Sequence, residues 1–235
     1  MLEPDSTVRV PPAEGAPRSF GPDALQILTT EHWSLLAARS LVYTEAMSRT
    51  SIFVAALSGA VVALALVAQG TDFGSGFVAF SLVLLPVVYF LGFVTIVRLA
   101  QVNLENARWV QGMNRIRHAY LDLAPELEPY FVTSKYDDDV GVLESAVPGI
   151  APTPHYQAFV AAPGVVAVID SVVAGAAAGI AAMGLDLGIG WSLALGAVCF
   201  GASLAFFVVW SKGRIGGFLS GIEPRFPSPS RERDG

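Results

Sequence analysis

Residues 51–69, SIFVAALSGAVVALALVAQ, carry no charged side chain, and after a six-residue link comes a second such run, residues 76–97, GFVAFSLVLLPVVYFLGFVTIV. Each approaches the ~20 apolar residues that take an α-helix across a bilayer. Inside hydrocarbon a helix satisfies its own backbone polar groups, which an open strand or loop cannot do. Two further runs, 157–183 and 191–210, have the same character, with Asp170 the one charge among them. The predicted fold class is all-α: a polytopic membrane protein of four transmembrane helices forming two hairpins, 51–97 and 157–210, with cytoplasmic helical extensions.

Composition agrees with this class. The 235 residues are 53% hydrophobic and only 14% charged, where soluble domains are about 25% charged. Orientation follows from the 14 Lys and Arg residues. Arg9, Arg18, Arg39 and Arg49 precede the first span; Arg98, Arg108, Arg115, Arg117 and Lys135 lie between the second and third; Lys212, Arg214, Arg225, Arg231 and Arg233 follow the fourth. The links 70–75 and 184–190 have none and contain only Asp72 and Asp186. Basic residues are retained on the cytoplasmic side, so both termini and the middle segment are expected in the cytoplasm, beneath a bacterial inner membrane. The net charge of −6 offers no concentrated basic surface for nucleic acid. Cys199 stands alone, which excludes an internal disulfide or a cysteine-rich metal site. The first residues lack an apolar core beside a small-residue cleavage pattern and do not read as a secretory signal.

Outside the spans, residues 1–22 read as a disordered cytoplasmic tail, and 211–235 as a second cytoplasmic tail, disordered from Glu223. Residues 23–50 read as an amphipathic cytoplasmic helix with Asp23 and Gln26 at its start, where an Asp oxygen can cap the first turn. Glu45 and Arg49 on it are four apart and can pair. Residues 98–124 continue the second span as a heptad helix. Leu99, Asn106, Met113 and Tyr120 form one row at seven-residue spacing, and Val102, Trp109, Ile116 and Leu123 a second row three residues on. Apolar residues at such positions make a coiled-coil seam, and a lone Asn within it fixes register. The seam packs either on the helix preceding the first span or against a second subunit. Residues 125–156, punctuated by five prolines, form an irregular cytoplasmic connector. Its run Asp137 to Asp139 lacks the alternating ligand spacing of a calcium loop and reads as a solvated acidic loop.

The two links share a pattern, GTDFGSG at 70–76 and GLDLGIG at 184–190. It reads either as a duplicated hairpin or as two turns converging on Gly and Asp. Small residues four apart, Gly175 with Gly179 and Ala197 with Gly201 and Ala205, would let the third and fourth spans approach closely. Trp191 and Trp210 suit the two interfacial belts. Pro86 removes one hydrogen bond within the second span.

Asp170 is the candidate intramembrane polar site. An isolated charge there costs several kcal/mol, so the carboxyl must be neutral, hydrogen-bonded or open to water, in a structural role or in ion or proton handling. Arg108, Arg115 and Arg117 form a candidate lipid-headgroup patch on the heptad helix. His32, His118 and His155 lack the spacing of a metal site, and no Gly-x-Ser-x-Gly, GxxxxGK[ST] or GxGxxG motif occurs. No catalytic residue, metal or cofactor is expected.

Two stretches, TTEHWSLLAARSLVYTEAMSRT at 29–50 and VRLAQVNLENARWVQGMNRIRHAYLDLAPELEPYF at 97–131, together resemble an actinobacterial family of four-helix integral membrane proteins. The resemblance covers residues 25–131. That family has no assigned activity, so the resemblance carries over no functional residue. The functional expectation is an assembly or interaction protein acting through its cytoplasmic helices, with the bilayer and a second copy or a cytoplasmic protein as partners. The alternative is a small channel or transporter using Asp170.

Overall fold

The computed structural model describes residues 20–146, 162–221 and 223–229. Helix α1 spans Ala24–Thr71 and α2 spans Ser75–Leu123. A 3-10 turn at Pro125–Tyr130 and the short helix α3, Asp139–Ala146, follow. Helices α4, Ala162–Gly184, and α5, Gly188–Ser220, complete the chain. No strand occurs among the described residues. Helices α1, α2, α4 and α5 are each long and apolar enough to cross a membrane. The start of the third expected span, residues 157–161, lies outside the described residues.

With 48 and 49 residues, α1 and α2 are each about 70 Å long at 1.5 Å per residue, against a hydrocarbon layer of about 30 Å. They pack side by side along this length. Arg39 Nε donates to Asn106 Oδ1 at 2.7 Å, and two heptads further along α1 Phe53 lies against Gly92. The buried residues of α2 continue the heptad rows into the span, through Ser81, Leu85, Val88, Gly92 and Thr95 to Leu99 and Val102. Thus one seam runs nearly the whole helix. Of the eight seam residues named from the sequence, Leu99, Val102, Met113 and Ile116 are buried, Asn106, Trp109 and Tyr120 are half-buried, and Leu123 is exposed. Leu35 of α1 covers the lower seam at Gly112, where an added Cβ would come within 3.1 Å of it. The structure therefore fills this stripe from within the same chain.

A cluster of ions ties the two helices together. Arg98 places Nε and Nη2 on the two oxygens of Glu45, at 3.1 and 2.8 Å, and Nη1 on Glu105 at 2.9 Å. Arg49 adds a 2.9 Å contact to Glu45. Hydrogen bonds from Arg98 and Arg49 hold the Glu45 carboxyl down at about 2. Asp23 makes no capping side-chain bond at the start of α1, which corrects the expected cap.

Helix α2 lies between α1 and α4, while α5 packs on α4 and only grazes α2. The α4–α5 contact is closest at Gly175, where an added Cβ would stand 2.8 Å from Gly196 O, and at Gly179, where it would stand 3.3 Å from Ser192 O. Ala197, Gly201 and Ala205 are exposed instead. The small-residue stripe of α5 that meets α4 is thus the neighbouring one, Ser192 and Gly196. Both stripes have small residues four apart, and the choice is made by Ser203 and Phe207, which lie on the second stripe and are buried.

The two links end their helices alike before they part. Asp72 and Asp186 both adopt left-handed φ, 47° and 57°, and the next residue of each donates its amide back five residues, Phe73 to Ala68 O and Leu187 to Ala182 O. This is the bond of a Schellman stop, with Asp in the position usually held by Gly. Thereafter Phe73 stays left-handed at 57° in one link, and Gly188 takes φ 75° in the other.

Gly175→Ala should force α4 and α5 apart, at a cost of about 1–3 kcal/mol, whereas Gly201→Ala should be neutral because its Cβ meets nothing within 4 Å. Thermal denaturation in detergent separates the two, and equal losses would contradict this register.

Candidate functional site

Two places concentrate polar groups that the fold has to accommodate. The first lies within the spans. Asp170 on α4 is fully buried, and neither carboxyl oxygen has a hydrogen-bond partner among the described residues. Its room comes from a missing side chain: a Cβ on Gly92 would sit 2.0 Å from Asp170 Oδ1 and 2.8 Å from Phe53 Cε2. Ser171 follows it directly in sequence, with Oγ 2.7 Å from Ala167 O and 3.1 Å from Ser203 Oγ. Ser203 Oγ is in turn 3.3 Å from the Tyr89 hydroxyl. A short hydroxyl chain thus joins α2, α4 and α5 beside an acid that takes no part in it.

The second place lies where α2 runs on beyond its span toward the connector. Here the expectation of a solvated acidic loop is overturned, since Asp137 and Asp138 are both fully buried. Consecutive residues point their side chains differently, and each carboxylate has its own set of donors. Asp138 occupies the N-cap of α3, accepting the Gly141 amide on Oδ1 at 2.8 Å. Its other oxygen accepts the Ser228 amide at 2.7 Å and the Ser228 hydroxyl. Asp137 accepts the amides of Arg225 and Phe226, at 3.0 and 2.7 Å, together with Arg115 Nε at 2.6 Å. The Asp137 amide answers by donating to Phe226 O at 3.2 Å. The Phe226 ring stacks on His118, with centroids 3.9 Å apart.

Residues 223–229, expected as part of a disordered tail, are therefore docked in a groove between α2 and α3. Residues 230–235 and the tail at 1–19 lie outside the described residues, as do Pro148, Pro152, Pro154 and His155. Helix α5 itself continues to Ser220, well into the segment expected as a tail.

Asn114 organises the groove from beneath. It is fully buried and uses its whole amide: Nδ2 donates to Tyr136 O and Gly141 O, at 2.7 and 3.0 Å, and Oδ1 accepts Arg117 Nη1 and Ser145 Oγ, at 2.6 and 3.0 Å. Gly141 is required here, because a Cβ would lie 2.2 Å from Tyr136 O. Sequence pattern does not mark Asn114, because it stands beside the seam rather than in it, and three of its four partners lie 22 to 31 residues away.

The arginine patch is regrouped accordingly. Arg117 turns inward to Asn114, and burial, with Arg39 nearby, pushes its guanidinium below its ordinary value. Arg108 and Arg115 instead line a cleft with Arg225 from the docked segment. Among the described residues no group of three His, Cys, Asp or Glu is placed to hold a metal ion. No family model matches the chain, and no curated protein or solved structure matches it either.

Burial alone would raise the Asp137 carboxyl, but the Arg225 amide, Arg115 and the Phe226 amide outweigh it and hold the group below its ordinary value. A depressed folded-state value stabilises docking fully at neutral pH, and that contribution is lost as pH falls below about 4 through the folded value. Protection of the Arg225 and Phe226 amides, corrected for intrinsic exchange, should hold from about pH 8 to 5 and fail below about 4. Asp137→Asn should remove protection already at neutral pH; protection independent of pH and of this substitution would refute the assignment.

Proposed function

We propose that the chain is a multi-pass protein of the bacterial inner membrane, with its termini and middle segment cytoplasmic, and that it works as an assembly or interaction protein through its cytoplasmic helices. The orientation is supported by the absence of Lys and Arg from both short links. The single observation that carries the functional reading is the groove that holds residues 225–228 by main-chain amides and one aromatic ring. Extended peptides are recognised in this way: main-chain bonds supply affinity, and pockets for particular side chains supply selectivity. The lower seam, by contrast, is covered by Leu35 of α1 at Gly112, so the groove rather than the seam carries this reading.

The partner this chemistry selects is an extended segment with an aromatic residue and prolines that keep it from becoming helical, as in the chain's own PRFPSPS at 224–230. It belongs either to a cytoplasmic protein or to a second copy. Intramolecular docking raises the local concentration of the resident segment, so an incoming one must compete with it.

A labelled PRFPSPS peptide should bind inverted membrane vesicles carrying the Phe226→Ala full chain, and not right-side-out vesicles. Changing the peptide's Phe to Ala should weaken it about tenfold, the loss of one stacked aromatic contact. Binding only to right-side-out vesicles would reverse the orientation, and absence of binding on both faces would remove the groove reading.

A second reading, a small channel or transporter, is favoured by the unpartnered Asp170 carboxyl beside the Ser171, Ser203 and Tyr89 hydroxyls. Intramembrane acids that lack a partner mark ion and proton routes by default. On this reading, proteoliposomes of the unmodified protein show a proton- or cation-dependent flux that Asp170→Asn abolishes, and a lack of flux at every pH tested excludes it.

A further inference from the structure

A cleft of about 390 Å³ opens between α2 and the end of α5, bounded on one side by Arg108, Gln111 and Arg115. The docked segment closes it with Glu223 and Arg225. Three guanidiniums therefore line one small volume with the Glu223 carboxylate, and with Asp137 bonded to Arg115 the surplus is one positive charge. Two of the three are held in place by the same acid. Arg115 is fixed through Nε on Asp137 Oδ2, at 2.6 Å, and Arg225 through its backbone amide on the same carboxylate, at 3.0 Å. Arg115 Nη2 also reaches Glu223 O at 3.2 Å, which ties the lining together. On the α5 side Gly217 presents no side chain, and a Cβ there would meet nothing within 4 Å.

Planar guanidiniums bind tetrahedral oxyanions through paired N–H donors, and a phosphate ester is the ordinary ligand of such a cluster. The volume sits at the lower end of small-molecule pockets, larger than a bare ion requires. Depth adds a further constraint. Arg108 lies ten residues beyond Arg98 on one helix, about 15 Å at 1.5 Å per residue, and the headgroup layer is only about 5–8 Å thick per leaflet. The cleft thus stands clear of the phosphates of simple lipids and meets either a headgroup that projects or a soluble phosphate ester.

We propose that this cleft binds a phosphate ester and that its occupancy holds the C-terminal segment in the groove. The inference rests on the docked segment described above and adds its regulator. A phosphate bridging Arg108 on α2 and Arg225 on the segment joins the two, so ligand binding stabilises docking by mass action.

The experiment uses the purified full chain in detergent, with inorganic phosphate against chloride at matched ionic strength, and then vesicles of phosphatidylcholine with or without a phosphatidylinositol phosphate. The readout is hydrogen exchange at the Arg225, Phe226 and Ser228 amides. Phosphate, but not chloride, should slow exchange, and Arg108→Gln should shift the phosphate concentration needed by at least about tenfold. Slowing by free phosphate assigns a soluble ligand; slowing by the phosphorylated vesicles alone assigns a lipid. Equal slowing by chloride, an undiminished response in Arg108→Gln, or no response to either phosphate source overturns the proposal and leaves the groove standing. Amides that exchange freely without any ligand, yet become protected on adding phosphate, support the cleft while denying the groove a resident segment.

Discussion

An α-helix that has to satisfy its backbone within hydrocarbon carries the same hydrogen-bond ladder unbroken into water, and α2 exploits that continuity over 49 residues. Helices α1, α3 and α4 are positioned by contact with it, and α5 is positioned through α4. Along its length one buried heptad seam runs from Ser81 to Ile116, with α1 against it through Phe53 at Gly92 and Leu35 at Gly112. In the span its other contact is α4; beyond the span it meets α3 and, through Arg115 and His118, the C-terminal segment. The geometry of the groove is thus rigidly coupled to the packing of the spans, because no hinge residue separates the two along α2. Pro86 is the only proline within the helix, and it falls inside the span, between the buried Leu85 and Val88.

How far the fold was legible depended on whether the relevant contacts were local. Hydropathy marks the four spans because each one's burial in lipid is a property of its own residues. Seven-residue spacing marks the lower seam for the same reason, though it stops being readable above Leu99: in the span every position is apolar, so the rows no longer stand out from lipid-facing neighbours such as Val83 and Val87. There the seam shows itself by small and polar residues instead, Ser81, Gly92 and Thr95. The register of α5 was misread for a related reason. Two stripes of small residues run side by side, and which one faces α4 is decided by hydroxyl contacts to Ser171 and Tyr89 in other helices.

The groove was illegible from local pattern altogether. Asp137 and Asp138 have donors 88 to 90 residues away, and an Asp-Asp-Asp run carries the same composition whether solvated or buried. Burying two carboxylates is unfavourable unless nearly every lone pair finds a donor. Here each acid finds at least three. Asn114 follows the same rule from the donor side, with all four of its hydrogen-bonding positions used. Asp170 is the exception. It is equally buried yet has no hydrogen-bond partner among the described residues, and its accommodation there is steric, through the absent side chain of Gly92.

That contrast separates the two polar places by what they can do. A fully satisfied network is specific and costly to rearrange, since removing one donor strands a buried acceptor at about 1–3 kcal/mol. Such a network suits a latch with two discrete states, because partial undocking of residues 225–228 would leave Asp137 buried and short of donors. Release must therefore be concerted: both amides and the Phe226 ring leave together, or none does. Arg115 adds a donor to Asp137 that does not come from the docked segment, since it stands on the same helix that forms the groove floor.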